Sequence, residues 1–200
     1  MNIVLIFSVI FSLLCPSVSL SAATEPDDSQ VTLSGVMVGR DTLKTVQEKF
    51  GPSKPCVVSE HLTKLGYIVG NETLLFESSD IGGGDITGFV LRLSETPPGC
   101  NLSSPRTGIA DLKTDGGVHL GMTRDEFTRI FGSPTTKSKN GTLVYQWTST
   151  RDLTEAQQKA AAQSFPGVGS SGSVDILTTV KARFSTKGLT YFYITRIKSL

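Results

Sequence analysis

Gly117-Val118-His119-Leu120-Gly121-Met122-Thr123-Arg124-Asp125-Glu126-Phe127-Thr128-Arg129-Ile130-Phe131-Gly132-Ser133-Pro134 is a whole helix with both of its ends spelled out. Thr123 and Glu126 have capping-box spacing, so hydroxyl and carboxylate can satisfy orphan amides of the first turn. Phe127, Ile130 and Phe131 follow at i, i+3 and i+4, one apolar stripe on a short helix. Gly132 supplies a backbone position open to positive φ, and Pro134 keeps the helix from resuming. The same pattern stands roughly 80 residues earlier, a spacing that marks a tandem repeat. Gly35-Val36-Met37-Val38-Gly39 matches Gly117 to Gly121. Asp41 or Thr42 caps the helix there, Leu43, Val46 and Phe50 form its stripe, and Gly51-Pro52 ends it.

Strands are expected after each helix. In the first copy they are Lys64–Val69 and Thr73–Glu77 around a Gly70-Asn71 turn, then Thr87–Ser94. The second copy turns at Asn140-Gly141 into Leu143–Thr148. A helical insertion is then expected near 152–165, followed by a Gly/Ser stretch. The chain closes on a hairpin in which Val180, Ala182 and Phe184 alternate with Lys181 and Arg183 and pair with Leu189–Ile197 across Thr186-Lys187-Gly188. The fold class expected is α+β, with two tandem units, each a short helix packed on a three- to four-stranded antiparallel sheet.

Ile3–Leu14 is an apolar run of 12 residues, short for a bilayer span and matched to a signal-peptide core. Ser21-Ala22-Ala23 places cleavage after Ala23, with lipidation at Cys15 as the alternative. The expected organisation is a signal peptide over 1–23, a first repeat over 24–107 and a second over 108–200. Thr24–Gln30, polar and proline-containing, is expected to be disordered. The formal net charge of +1 and the lack of a basic run leave no electrostatic footprint for nucleic acid. No transmembrane span is expected once the signal is removed. Cys56 and Cys100, the pair left in an exported chain, are expected to form a disulfide within the first repeat.

Catalytic signatures are missing. His61 and His119 lie in different repeats without ligand spacing, so no metal and no cofactor are expected. No Gly-x-Ser-x-Gly, Ser-x-x-Lys or His-Glu-x-x-His occurs, and the expectation is a protein that is not an enzyme. Asp80 to Asp85 fails the calcium-loop spacing, and no helix follows it to cradle a phosphate. Among the strand aromatics, alternation puts Tyr145 with Trp147, and Tyr191 with Tyr193, on common faces. Which faces meet the helices and which meet solvent is not contained in the period.

The repeated Gly-x-x-x-Gly lead, Gly-Met-Thr-Arg helix start and Gly-x-Pro stop, over Leu120–Pro134 and Val38–Pro52, resemble the BamE (SmpA/OmlA) outer-membrane assembly lipoproteins. The tandem arrangement resembles the β-lactamase inhibitory proteins, built from two such units. The resemblance implies a bacterial protein exported to the periplasm or medium, non-catalytic and acting by binding another protein. On this basis the expectation is a cell-envelope or periplasmic factor, with a secreted inhibitor of a hydrolase such as a β-lactamase as the alternative. It implies a partner-binding face on the outer side of the sheets and an acidic hairpin tip, which Asp85 matches. Asp85, Tyr145, Trp147, Tyr191 and Tyr193 are the candidate partner-binding residues, because Tyr and Trp combine contact area with a polar handle. Asn71, Asn101 and Asn140 each begin an Asn-x-Ser/Thr triplet, a glycan acceptor in a eukaryotic secreted protein. In a bacterial one they are turn and loop residues.

Overall fold

The computed structural model describes residues 23–79, 84–93, 99–106, 109, 111–155, 158, 159, 163 and 172–199. The expected signal segment before residue 23 lies outside them, as do most of the expected insertion helix and its Gly/Ser stretch. Glu155, Gln158, Lys159 and Gln163, which are described, are helical.

Both repeated helices form where their caps predict. α1 is Leu43–Phe50, capped by Thr42 accepting from the Thr45 amide. α2 is Arg124–Phe131, and its capping box is complete in both directions. The Thr123 amide and hydroxyl hold the Glu126 carboxyl below its ordinary range. Gly51 and Gly132 take φ of 95° and 71° at the two exits, a region costly for a residue with a Cβ.

The strands are β1 (Thr32–Leu33), β2 (Val36–Met37), β3 (Cys56–Ser59), β4 (Leu62–Val69), β5 (Glu72–Ser79), β6 (Ile86–Leu93), β7 (Thr136–Lys137), β8 (Leu143–Asp152), β9 (Ser173–Ser185) and β10 (Gly188–Ser199). They correct the expected fold class. Instead of two units with separate small sheets, the described residues form one continuous eight-stranded antiparallel sheet in the order β3-β4-β5-β6-β10-β9-β8-β7. The joint is β6 against β10, with Phe192 opposite Leu91 and Ile194 opposite Phe89. An unpaired last strand in each unit would leave a row of bare N–H and C=O groups, and pairing the two satisfies both edges at once.

Both helices pack on the same side of this sheet. Phe50 of α1 meets Tyr67 and Phe76, each at a ring separation of 5.2 Å. Phe127 of α2 meets Tyr145, Phe184 and Phe192. Contacts from Phe76 through Phe89 to Phe192 connect the two helices' territories, so one core runs the width of the sheet. The lead-ins to the helices are bound to each other as well. Leu33 bridges Thr114, and the Asp115 amide donates to the Thr32 carbonyl.

Thr24–Gln30 is not disordered as its composition suggests. The Thr24 amide donates to the Phe131 carbonyl, Ser149 Oγ donates to Glu25, and Arg196 reaches both the Pro26 carbonyl and Asp28. These partners lie more than 100 residues away, and a local composition rule does not register them. Cys56 and Cys100 are bonded, tying β3 to the segment that runs along the β4 edge, where Ser103 exchanges backbone hydrogen bonds with Gly66 and Ile68.

Tyr67, fully buried, donates its hydroxyl to the Gly51 carbonyl at 2.8 Å, and burial pushes the phenol up to about 12. The folded state therefore keeps a proton that the unfolded chain loses near pH 10. Stability is complete below pH 10 and falls between pH 10 and 12, by about 2–3 kcal/mol from this group. Thermal midpoints from pH 9 to 12 should decline more steeply for the native chain than for Tyr67→Phe. Parallel slopes would refute the assignment.

Candidate functional site

Strand alternation gives the sheet two unlike faces. Leu65, Tyr67, Leu74, Phe76, Phe89, Leu91, Tyr145, Val180, Ala182, Phe192 and Ile194 form the buried side under the helices. On the other side, three rows of side chains cross the strands in register. Thr73, Arg92, Tyr191 and Arg183 make the first, and Leu75, Val90, Tyr193, Lys181 and Val144 the second. The third runs Lys64, Glu77, Gly88, Thr195, Thr179 and Gln146. Among the described residues, neither helix lies on this face; Thr73, Leu75 and Val90 are nonetheless buried, with the Leu102 side chain against Gly66 and Leu75, so the accessible part is the β10–β9 end around Tyr191, Tyr193, Lys181 and Arg183.

Tyr191 and Tyr193 are half-buried at its centre, where β10 lies between β6 and β9. Each carries a cation over its ring: the Arg183 guanidinium is 4.7 Å from the Tyr191 centroid, and Lys181 Nζ is 5.6 Å from that of Tyr193. Such contacts contribute about 0.5–1 kcal/mol at exposed sites and hold long side chains in place. Tyr193 also donates its hydroxyl to Glu77 Oε2 at 3.2 Å. Glu77, nearly buried, is ion-paired with Lys64. Removing one member of so desolvated a pair would leave a costly buried charge. Gly88 puts no side chain between Glu77 and Thr195. A Cβ there would come within 2.6 Å of the Ile194 carbonyl oxygen.

Burial, and then the Glu77 charge, push the Tyr193 phenol far above its ordinary value. Burial also raises Tyr191, against the opposing pull of Arg183 and Arg92. Both hydroxyls are therefore protonated donors at neutral pH. This face offers fixed rings and cations to something that lands on it, while the Tyr193 hydroxyl is taken by Glu77.

The structure separates the five residues singled out in the sequence. Tyr191 and Tyr193 share the open face. Tyr145 is on the opposite side, fully buried beneath α2, and offers no surface to a partner. Trp147 stacks on it at 5.8 Å and is half-buried against Phe131. Asp85 opens onto β6 beyond residues 80–83, which lie outside the described residues. It bridges Thr42 and is ion-paired with Lys198 at 2.9 Å. By strand alternation Lys198 belongs to the helix-covered side, so Asp85 is not brought to the tyrosines.

Sequence reasoning missed Lys64 and Glu77, and noted Lys181 and Arg183 only as the alternates of an apolar stripe. That alternation was the available signal; which ring each cation covers depends on register. A separate cleft of about 590 Å³ lies between the β4–β5 turn and the segment before α2, lined by Glu72, Asp111, Lys113 and His119 among others. Burial raises the Glu72 carboxyl there, with His119 pulling it down and Asp111 pushing it up. Among the described residues, no three His, Cys, Asp or Glu side chains gather as a metal site.

No protein-family model matches the chain, and comparison with curated proteins and with solved structures finds no match.

Proposed function

We propose that this chain is an exported, non-catalytic protein-binding module of the cell envelope or periplasm, and that its partner lands on the open sheet face around Tyr191 and Tyr193. The observation that carries the reading is the construction of that face. Two half-buried tyrosines stand on the central strand, each braced by a cation, on the side of the sheet away from both helices. Rings held in one conformation lose little entropy on binding, and such residues dominate interface energetics. The repeat motif resembles envelope proteins that act by binding.

The test is capture from the native envelope fraction and culture medium by the full-length chain, C-terminally tagged and exported. A partner should be recovered in stoichiometric amount. Binding should weaken by at least about 30-fold, the effect of about 2 kcal/mol, in Tyr191→Ala/Tyr193→Ala. Recovery of no protein, or equal recovery by the double variant, would refute the reading. The inhibitor alternative uses the same face and differs in outcome: the captured protein would be a hydrolase whose activity falls to zero at a one-to-one ratio.

A further inference from the structure

The open face is charged asymmetrically. Its one acid in the three central rows, Glu77, is held by Lys64 and by the Tyr193 hydroxyl. Lys181 and Arg183 rest on tyrosine rings and, among the described residues, neither is paired with a carboxylate. A guanidinium stacked on a ring keeps its N–H donors, which lie in its own plane and suit a carboxylate arriving edge-on. The ammonium of Lys181 likewise keeps donors to spend. Lys181 and Arg183 are alternate residues of β9, so their Cα atoms stand about 6.6 Å apart with both side chains on one face, twice the rise per residue of a strand.

Resting on the protein-binding reading above, we infer that the open face recognises an acidic, extended segment of the partner, with Arg183 and Lys181 each taking one of two carboxylates at positions i and i+2. An extended segment spaces its alternate side chains by that same distance, so both pairs form without distortion. Tyr191 and Tyr193 fix the two cations before the partner arrives, which removes part of the ordering cost of binding. They also form the apolar floor on which the segment rests. Exposed cations of this kind speed association with an acidic surface and make it salt-dependent.

The probes are three capped pentapeptides, Ser-Glu-Ser-Glu-Ser, Ser-Gln-Ser-Gln-Ser and Ser-Lys-Ser-Lys-Ser, titrated into the ¹⁵N-labelled exported protein. The acidic peptide should shift the amides of residues 179–185 and 189–195, and the other two should not. Its affinity should fall at least tenfold in Lys181→Gln/Arg183→Gln, whose thermal midpoint is read to show that it folds. Equal shifts from the glutamine peptide, shifts mapping elsewhere, or no loss in the variant would overturn the inference. So would tighter binding of phosphatidylglycerol vesicles or a DNA duplex to the same strands.

The partner from the capture experiment separates the two levels. Capture lost in Tyr191→Ala/Tyr193→Ala but retained in Lys181→Gln/Arg183→Gln overturns the acidic-segment inference and leaves the module standing. No captured protein at all refutes the module itself.

Discussion

Phe127→Ala should cost about 3–5 kcal/mol, a large part of the stability of an ordinary domain. The ring is fully buried and touches Phe131 at 4.6 Å, Phe184 at 5.5 Å, Tyr145 at 5.9 Å and Phe192 at 6.0 Å. Truncation removes its transfer free energy and leaves a cavity, and the surrounding rings, being large and held by several elements, can collapse into it only in part. Trp147, the chain's one tryptophan, stacks beside this site and provides the fluorescence readout in urea. Because the core continues through Phe192 and Phe89 to Phe76, signals from the β4–β6 side should move with the Trp147 signal in one transition. A loss below 1 kcal/mol would mean that the ring does not carry the core.

Removing the disulfide has a comparable effect through the unfolded state. Cys56 and Cys100 are 44 residues apart in sequence, and closing a loop of that size is worth about 4 kcal/mol in the chain-entropy model. The bond also holds the segment carrying Ser103 and Arg106 against β4 and α1, where the Arg106 amide donates to the Phe50 carbonyl. Cys56→Ser/Cys100→Ser leaves no free thiol at either position. Its urea midpoint should fall by the equivalent of about 2–4 kcal/mol, and dithiothreitol should do the same to the native chain and nothing to the variant. A change below 1 kcal/mol would show that the loop is ordered without its staple.

The candidate site was legible in part. Alternation correctly paired Tyr191 with Tyr193 and Tyr145 with Trp147, since the side-chain period of a strand is a local property. It could not tell the two pairs apart, because which face is buried depends on where the helices lie. The structure buries Tyr145 under α2 and leaves the β10 tyrosines on the open side. Resemblance matches Asp85 to an acidic tip; its contacts with Thr42 and Lys198 come from elements distant in the chain. In the sequence Glu77 is only the end of a strand. Its pairing with Lys64 and Tyr193 needs three strands brought together in register.

What the sequence determined by itself is short-range. Both helices, their caps at Thr42 and Thr123, the turns at Gly70-Asn71 and Thr186-Lys187-Gly188, and the alternation of β9 all depend on interactions within a few residues. The tertiary structure decided that the two expected sheets are one, that both helices cover the same side, and that Thr24–Gln30 is pinned across it by Arg196. The reason is physical: β6 and β10 carry no local mark that they will meet. Edge strands pair with whatever complementary edge the folded core presents, and only the assembled core, linked by Phe76, Phe89, Phe192 and Phe127, determines which edge that is.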